Sequence, residues 1–130
     1  MSVSAAPAGG NRPATAHPST LADILIAASV GVATLVVYLR TIYPDVLAIG
    51  DATKFAFVGK VLGIPHAPGY PLYVLVSHLF SYLPFGTLAY RMNVMSATFG
   101  AVAVALGYLI ARRLHVSRPI AIATALGLGL

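Results

Sequence analysis

Charged residues are scarce in this chain, and cysteine and glutamate are missing from it. Only 8% of the 130 residues are charged, whereas soluble domains carry about 25% because their surfaces face water. Hydrophobic residues make up 58%, and the mean hydropathy is +0.87. This composition predicts an integral membrane protein. The lack of cysteine excludes disulfides and thiolate metal sites, and it leaves the redox compartment open.

The few charges that are present are mostly positive. Eight Lys or Arg residues stand against three Asp, which gives a net charge of +5. A nucleic-acid-binding protein gathers its basic residues on one face or stripe. Here they lie at the ends of apolar runs, as membrane topology requires. The pattern predicts membrane lipid, and no nucleic acid, as a partner.

Two apolar segments, 20–39 and 92–111, are long enough to cross a hydrocarbon core of about 30 Å. The first could instead be a cleaved signal peptide, but signal h-regions usually span only ~7–15 residues. Residues 119–130 resemble the start of a third transmembrane helix, so we expect the chain to be truncated there. The preceding tail, 1–19, is rich in Pro, Ala, Gly and Ser and is predicted to be disordered.

Arginine residues in the short segment 112–118 indicate the orientation. Three of its residues are Arg, and short cytoplasmic loops are enriched in basic residues. A cytoplasmic loop here makes the tail 1–19, two spans away, cytoplasmic as well. The long segment 40–91 is then external, although it carries basic residues of its own.

The external segment 40–91 contains two apolar stretches too short to span a bilayer, near 51–62 and 71–83. Helical spacing of their apolar residues predicts two interfacial helices. The apolar positions are Phe55, Val58 and Leu62 in the first, and Leu72, Val76, Leu79 and Leu83 in the second, which also carries a polar strip of Ser77, His78 and Ser81.

Asp51 is the strongest catalytic candidate in this external segment. It begins the first interfacial helix, at the membrane boundary where a lipid-linked substrate would present its phosphate and sugar. A carboxylate there could act as general base for an acceptor hydroxyl, or help to hold a metal. The structural alternative is a helix N-cap, since Asp is preferred at that position.

Four further residues are weaker candidates for substrate binding. Asp45 follows a proline in YPDV, which is a turn signal. His66 lies in a proline-rich turn, where a lone exposed histidine usually has no ligand or base role. Lys54 and Arg91 could attract a lipid phosphate, or could simply extend their charges out of the apolar layer.

A longer pattern resembles a known family. The strings YPDV, GD, LGIPHAPGYPLYVL and LFSYLPFGTLAYRMNVMSATFGA cover most of residues 38–113. They are similar to the start of a family of bacterial multi-pass membrane proteins, long catalogued as a domain of unknown function. That family is related to the protein O-mannosyltransferases in the GT-C superfamily of membrane glycosyltransferases.

The resemblance implies a GT-C-like N-terminal portion, located in the bacterial inner membrane. Such a fold has many transmembrane helices and a large first external loop with two interfacial helices. Near its start that loop holds an essential acidic residue, close to a polyprenyl-phosphate sugar donor. By position, Asp51 corresponds to the acidic residue of the GD motif, and His66 to the histidine of an HPPGYP-like turn.

One position departs from the family pattern. Family members often continue GD-x-G-E, whereas this chain has Lys54 where the glutamate stands. A site built on paired carboxylates therefore loses one member, and dependence on a divalent metal stays open. Lys54 could bind the donor phosphate instead, or this branch could carry out different chemistry or none.

Two functions follow from these observations. The first is a membrane glycosyltransferase that moves a sugar from a polyprenyl-phosphate donor to an extracytoplasmic acceptor, the short chain alone being inactive. The alternative is a non-enzymatic membrane protein, such as a lipid-linked glycan transporter or an assembly subunit. Transporters have polar or discontinuous helices at the membrane midplane. Both predicted spans are apolar through their centres, which favours the transferase.

Overall fold

Five α-helices, and no β-strand, form in the part of the chain that the structure describes. This computed structural model describes residues 20–46, 49–67 and 69–130, so the tail predicted at 1–19 lies outside it. In chain order the helices are α1 (Thr20–Thr41), α2 (Ala52–Val61), α3 (Pro71–Phe80), α4 (Leu88–Arg113) and α5 (Arg118–Gly129). The all-α prediction is confirmed for these residues.

Helices α1 and α4 are long and apolar enough to cross a membrane, and no other helix among the described residues is. They contain 22 and 26 residues, about 33 and 39 Å at ~1.5 Å per residue. Large apolar side chains such as Leu25, Val32 and Ile110 are exposed on their outer faces. A core helix of a soluble protein would bury such a face, so the exposed apolar faces favour a membrane protein.

Helix α4 begins earlier than the span predicted at 92–111. The hydroxyl of Thr87 accepts a hydrogen bond from the backbone N–H of Tyr90 at 3.1 Å, and the backbone of Thr87 is extended. This is an N-cap, which the sequence interpretation overlooked. The span predicted at 20–39 lies within α1. That these helices cross a bilayer, and in which direction, stays a prediction.

Helices α1, α4 and α5 pack side by side, with α4 antiparallel to the other two. Small residues allow the close approach: a Cβ added to Gly31 would lie 3.1 Å from the Cβ of Ala105. Such small-residue contacts are typical of helices that associate in lipid. The shared core consists of Ala27, Val30, Val104, Tyr108, Ala111, Ala121 and Ala125.

A buried carboxylate joins these three helices at one end. Oδ1 of Asp23 accepts hydrogen bonds from the Tyr108 hydroxyl at 3.0 Å, from Nε of Arg112 at 3.1 Å and from Nε of Arg118 at 3.0 Å. Two of the arginines that the sequence assigned to a loop therefore pair with a carboxylate between helices. Burial makes each partner depend on the other, because an unpaired buried charge is costly.

Helices α2 and α3 run parallel to each other, since Tyr73 contacts Phe55 and His78 contacts Gly59 one turn further along. Both pack against α4 near its N-terminal part. Gly59 makes their close contact possible, since a Cβ there would lie 2.0 Å from Oγ of Ser77. Helix α3 ends at Phe80, before the predicted boundary at 83. Pro84 disfavours the helical conformation at Leu83, the residue before it, in keeping with an end before that boundary.

The polar strip of α3 faces inward, and its leucines face outward. Ser77 and Ser81 are buried completely or almost so, whereas Leu72 and Leu79 are 75% and 70% exposed. In the first stretch Val58 is buried, but Leu62 is exposed, so its three apolar residues do not form one packed face. The interfacial position predicted for these two short helices stays a prediction.

Candidate functional site

The candidate site begins at the first turn of α2. Gly50, just before the helix, has a φ of 56°, in the left-handed region that favours glycine. Asp51 occupies the N-cap position, but its side chain makes no capping hydrogen bond. The capping alternative therefore does not account for the carboxylate, which points to other side chains instead.

Three side chains meet at this point, and we call Asp51, Lys54 and His66 the Asp51 cluster. Nζ of Lys54 lies 3.2 Å from Oδ1 of Asp51, and Nε2 of His66 lies 2.9 Å from Oδ2. Lys54 and Asp51 are one helical turn apart, whereas His66 arrives from the turn after α2. The sequence alone did not indicate this partner of His66, and a role of His66 in substrate binding stays a prediction.

Hydrogen placement in the Asp51 cluster follows from its distances. Nε2 of His66 lies 2.9 Å from the carboxylate of Asp51 and 3.3 Å from Nζ of Lys54. The carboxylate can only accept and the ammonium can only donate. A protonated Nε2 satisfies the shorter contact, because it donates to Oδ2 while Lys54 donates to Oδ1. Both carboxylate oxygens then receive a hydrogen bond.

These contacts stabilise the ionised form of Asp51. The hydrogen bond from His66, followed by that from Lys54, holds the pKa of the Asp51 carboxyl below its ordinary value of 3.8. The side chain is nevertheless 55% exposed, and exposed ion pairs contribute little to stability. The cluster is therefore an accessible, ionised carboxylate held in one orientation by two neighbouring groups.

Phe55 links the Asp51 cluster to α3. Its ring centroid lies 6.2 Å from that of His66, 6.0 Å from that of Tyr70 and 5.2 Å from that of Tyr73. The Tyr73 hydroxyl donates to the carbonyl of Phe55 at 3.2 Å, and burial raises the pKa of Tyr73. Aromatic contacts of this kind hold the turn, and with it His66, against α2.

A cleft of about 170 Å³ lies beside Phe55, between α2, α3 and α4. We call it the polar cleft, because Asp45, Tyr73, Asn93 and Ser96 contribute to its lining. Asp45 accepts a hydrogen bond from the N–H of the next residue at 2.8 Å, in keeping with the turn that YPDV predicts. Among the described residues it makes no hydrogen bond to the Asp51 cluster.

Arg91 lies outside the Asp51 cluster and binds the segment between α3 and α4. Its guanidinium donates to the carbonyls of Phe85 at 2.8 Å, Ser81 at 2.6 Å and Gly86 at 3.1 Å. These bonds hold the turn between α3 and α4. The structure does not bring Arg91 into the Asp51 cluster, so a phosphate-binding role for it stays a prediction.

The Asp51 cluster offers an incomplete set of ligands for a metal ion. No group of three or more His, Cys, Asp or Glu side chains converges within the described ranges. Asp51 and His66 are suitable ligand types, but the ammonium of Lys54 lies within 3.3 Å of both. Its charge would repel a cation, so these residues do not fit a divalent metal.

The sequence interpretation missed Tyr73 and Asn93. Nδ2 of Asn93 donates to the carbonyl of Tyr43 at 3.0 Å, and the two residues are 50 positions apart. This bond fastens the segment before Asp45 to α4. A single asparagine near a helix start carries no local signal for such a contact, and only the return of the chain through α4 creates it.

Comparison with known proteins identifies the family. The family model of the protein O-mannosyl-transferase TMEM260 N-terminal domain matches residues 51–125. The chain belongs to this family. The TMEM260 match begins at Asp51 and includes the whole Asp51 cluster. The expected relation to protein O-mannosyltransferases is confirmed at this level, whereas GT-C membership and a bacterial inner-membrane location stay predictions.

Two TMEM260 relatives are similar over most of the chain. The protein O-mannosyl-transferase TMEM260 of Mus musculus is 34% identical over 110 residues, which cover 84% of this chain and 16% of the mouse protein. The Dictyostelium discoideum protein is 34% identical over 94 residues, 70% of this chain and 11% of that protein. The chain thus spans less than a fifth of either relative. No solved structure matches it.

Proposed function

We propose that this chain contributes the acidic site of a membrane glycosyltransferase of the protein O-mannosyltransferase kind. The transferase moves a sugar from a polyprenyl-phosphate donor to a hydroxyl of an extracytoplasmic acceptor. The Asp51 cluster is the observation that carries the proposal, since it presents an accessible, oriented carboxylate within the TMEM260 match. The two candidate spans support a membrane setting. We place the N-terminus in the cytoplasm because the short segment 112–118 is rich in arginine.

Asp51 acts as the general base. The acceptor oxygen bonds to the anomeric carbon of the sugar as the bond from that carbon to the phosphate oxygen breaks. The acceptor proton passes to Asp51, and the phosphate leaves on its polyprenyl chain. A carboxylate with a lowered pKa is a weak base, but the acceptor hydroxyl becomes acidic as its oxygen bonds to carbon. Orientation by Lys54 and His66 then contributes more than basicity.

Lys54 has a second role in this scheme. One of its N–H groups donates to Asp51, and an ammonium has further donors. Those can bind an oxygen of the donor phosphate and stabilise the charge that develops as it leaves. Asp45 and Asn93 lie in the polar cleft. There Asp45 can accept hydrogen bonds from sugar hydroxyls, and Asn93 can accept from them or donate to them.

In this proposal α2 and α3 lie at the membrane surface and hold the site there. Ser77 of α3 faces Gly59 of α2, and Leu72 and Leu79 of α3 face outward, so we place both as interfacial helices at the external end of α4. An amphipathic helix lies in the interface with its apolar face toward the acyl chains. A lipid phosphate would then lie at the depth of Lys54.

Replacement of Asp51 by Asn tests the proposal. The protein, as its gene encodes it, is assayed in isolated membranes for transfer of radiolabelled sugar from a polyprenyl-phosphate donor to a peptide acceptor. We expect a loss of about 10²- to 10⁴-fold, the usual contribution of a general base. Thr53→Ala is the matched control, since Thr53 is exposed on the same turn of α2.

Equal transfer by the D51N variant and the unsubstituted protein, at equal expression, would remove Asp51 from the mechanism. Membranes with the unsubstituted protein that transfer no sugar, yet move a lipid-linked glycan across the bilayer, would identify the transporter alternative. Either outcome leaves the family assignment unchanged, since that depends on the sequence match.

A further inference from the structure

An apolar groove of about 360 Å³ lies between α3 and α4, next to the polar cleft. We call it the α3–α4 groove. It is lined by Leu72, Tyr73, Val76, Met95, Ser96 and Phe99. Tyr73 and Ser96 also line the polar cleft, so the two spaces adjoin at these side chains. Together they form one amphipathic depression with a polar and an apolar end.

The order of the two ends along α4 matches the order of a lipid in a bilayer. Asn93 lies in the polar cleft, Ser96 at the junction and Phe99 in the α3–α4 groove. At ~1.5 Å per residue, Phe99 is about 9 Å further along the helix than Asn93. Because α4 is a candidate span, this direction leads from the membrane surface into the hydrocarbon. The apolar end therefore lies at the depth of lipid chains.

The polar cleft favours a sugar over an ordinary phospholipid headgroup. The charged residue in its lining is Asp45, a carboxylate, and the other polar side chains there are those of Tyr73, Asn93 and Ser96. A carboxylate repels a phosphate but accepts hydrogen bonds from sugar hydroxyls. Lys54 directly precedes Phe55, which lines the polar cleft, and its ammonium is the group to which the proposed function assigns the donor phosphate.

We propose that the α3–α4 groove binds the isoprenoid chain of the polyprenyl-phosphate sugar donor, with the sugar in the polar cleft. The inference deepens the proposed function and rests on it. Met95 and Phe99 suit a branched, unsaturated chain, since thioether and aromatic side chains adapt to irregular apolar shapes. The isoprenoid chain, once bound in the α3–α4 groove, thereby places the sugar of the donor next to the Asp51 cluster.

Photochemical labelling tests the site directly. The protein is reconstituted in phosphatidylcholine vesicles with a polyprenyl-phosphate sugar that carries a diazirine on its first isoprene units. After irradiation, mass spectrometry locates the adducts. We expect them on residues 72–76 and 95–99, and we expect unlabelled polyprenyl-phosphate sugar to compete with them.

A steric variant tests the same site by kinetics. Ser96→Trp fills the junction between the polar cleft and the α3–α4 groove. We expect it to raise the KM for a long-chain donor about tenfold, and to leave a donor with a single isoprene unit nearly unaffected. Leu106→Trp is the matched control, because Leu106 is exposed on α4 outside the α3–α4 groove. Equal helical circular dichroism of the two variants establishes that both fold.

The outcomes separate this inference from the proposed function. Sugar transfer with no adducts in the α3–α4 groove overturns the inference alone. Competition by a dioleoyl phospholipid as strong as that by the donor also overturns it, since the groove would then hold bulk lipid. Adducts in the groove without any sugar transfer support the lipid site and contradict the transferase.

Discussion

Gly59 provides the sharpest test of how α2 and α3 fit together. A Cβ at this position would lie 2.0 Å from Oγ of Ser77, 2.6 Å from its Cβ and 2.9 Å from its carbonyl carbon. Ser77 is fully buried. The serine hydroxyl can rotate away, but its Cβ and backbone cannot. In Gly59→Ala, α3 must therefore move by roughly 1 Å to restore a carbon–carbon separation of about 3.5 Å.

Opposing effects determine how much stability the contact between α2 and α3 loses in Gly59→Ala. Alanine stabilises a helix interior by about 0.5–1 kcal/mol relative to glycine. Overpacking costs about 1–3 kcal/mol. The shift also weakens the hydrogen bond between Nδ1 of His78 and the carbonyl of Gly59, which is 2.8 Å long, and such a bond contributes about 0.5–1.5 kcal/mol. We expect the contact between α2 and α3 to lose about 1–3 kcal/mol in total.

Amide hydrogen exchange in detergent micelles measures this loss locally. Exchange in α2 and α3 should become about 5- to 150-fold faster in Gly59→Ala, with little change in α1. Adding Ser77→Gly should slow exchange again, because it removes the two closest atoms. Gly127→Ala is the control, since nothing lies within 4 Å of its added Cβ. Unchanged exchange in Gly59→Ala, or no recovery with Ser77→Gly, would refute the packing argument.

Other positions give predictions of different kinds. Replacing Asp23 by Asn removes the carboxylate that joins three helices, so thermal unfolding should occur at a lower temperature, whereas the exposed Asp45→Asn should leave it unchanged. Since His66 and Lys54 lower the pKa of Asp51, its carboxyl should stay ionised as the pH falls through 3.8. The stability that those contacts add is fully present above pH 3.8 and is lost as the pH falls through the lowered pKa. A ¹³C carboxyl titration tests this, and protonation at or above pH 3.8 would contradict it. Replacing Thr87 by Ala removes the N-cap of α4 and should lower its stability by about 1 kcal/mol. Hydrogen exchange at the first amides of α4 should become faster in Thr87→Ala, whereas Thr87→Ser should keep the original rate.

Much of the candidate site was visible in the sequence because its parts are local. Asp51 and Lys54 are three positions apart at a helix start, and such residues are neighbours on any helix. The turn at YPDV was likewise a local signal, and the structure places the Asp45 hydrogen bond there. The N-cap role suggested for the Asp51 side chain was not observed, because other partners lie within reach of its carboxylate.

The partners of the polar residues were decided by tertiary structure. His66 meets Asp51 only because the turn after α2 folds back. Ser77 and Ser81 were a polar strip with no assigned direction, and the packing of α2 on α3 turned them inward. Asn93 gained its role from a contact across 50 positions.

Composition and periodicity by themselves determined that this chain is helical, apolar and equipped with two segments of membrane-spanning length. Those properties depend on residue type and spacing, which act over one or two helical turns. Which side chains share a cleft, and which face lipid, depended on how α4 returns beside α1 and supports α2 and α3. Such long-range contacts arise from the joint packing of several helices, and no single segment of the sequence specifies them.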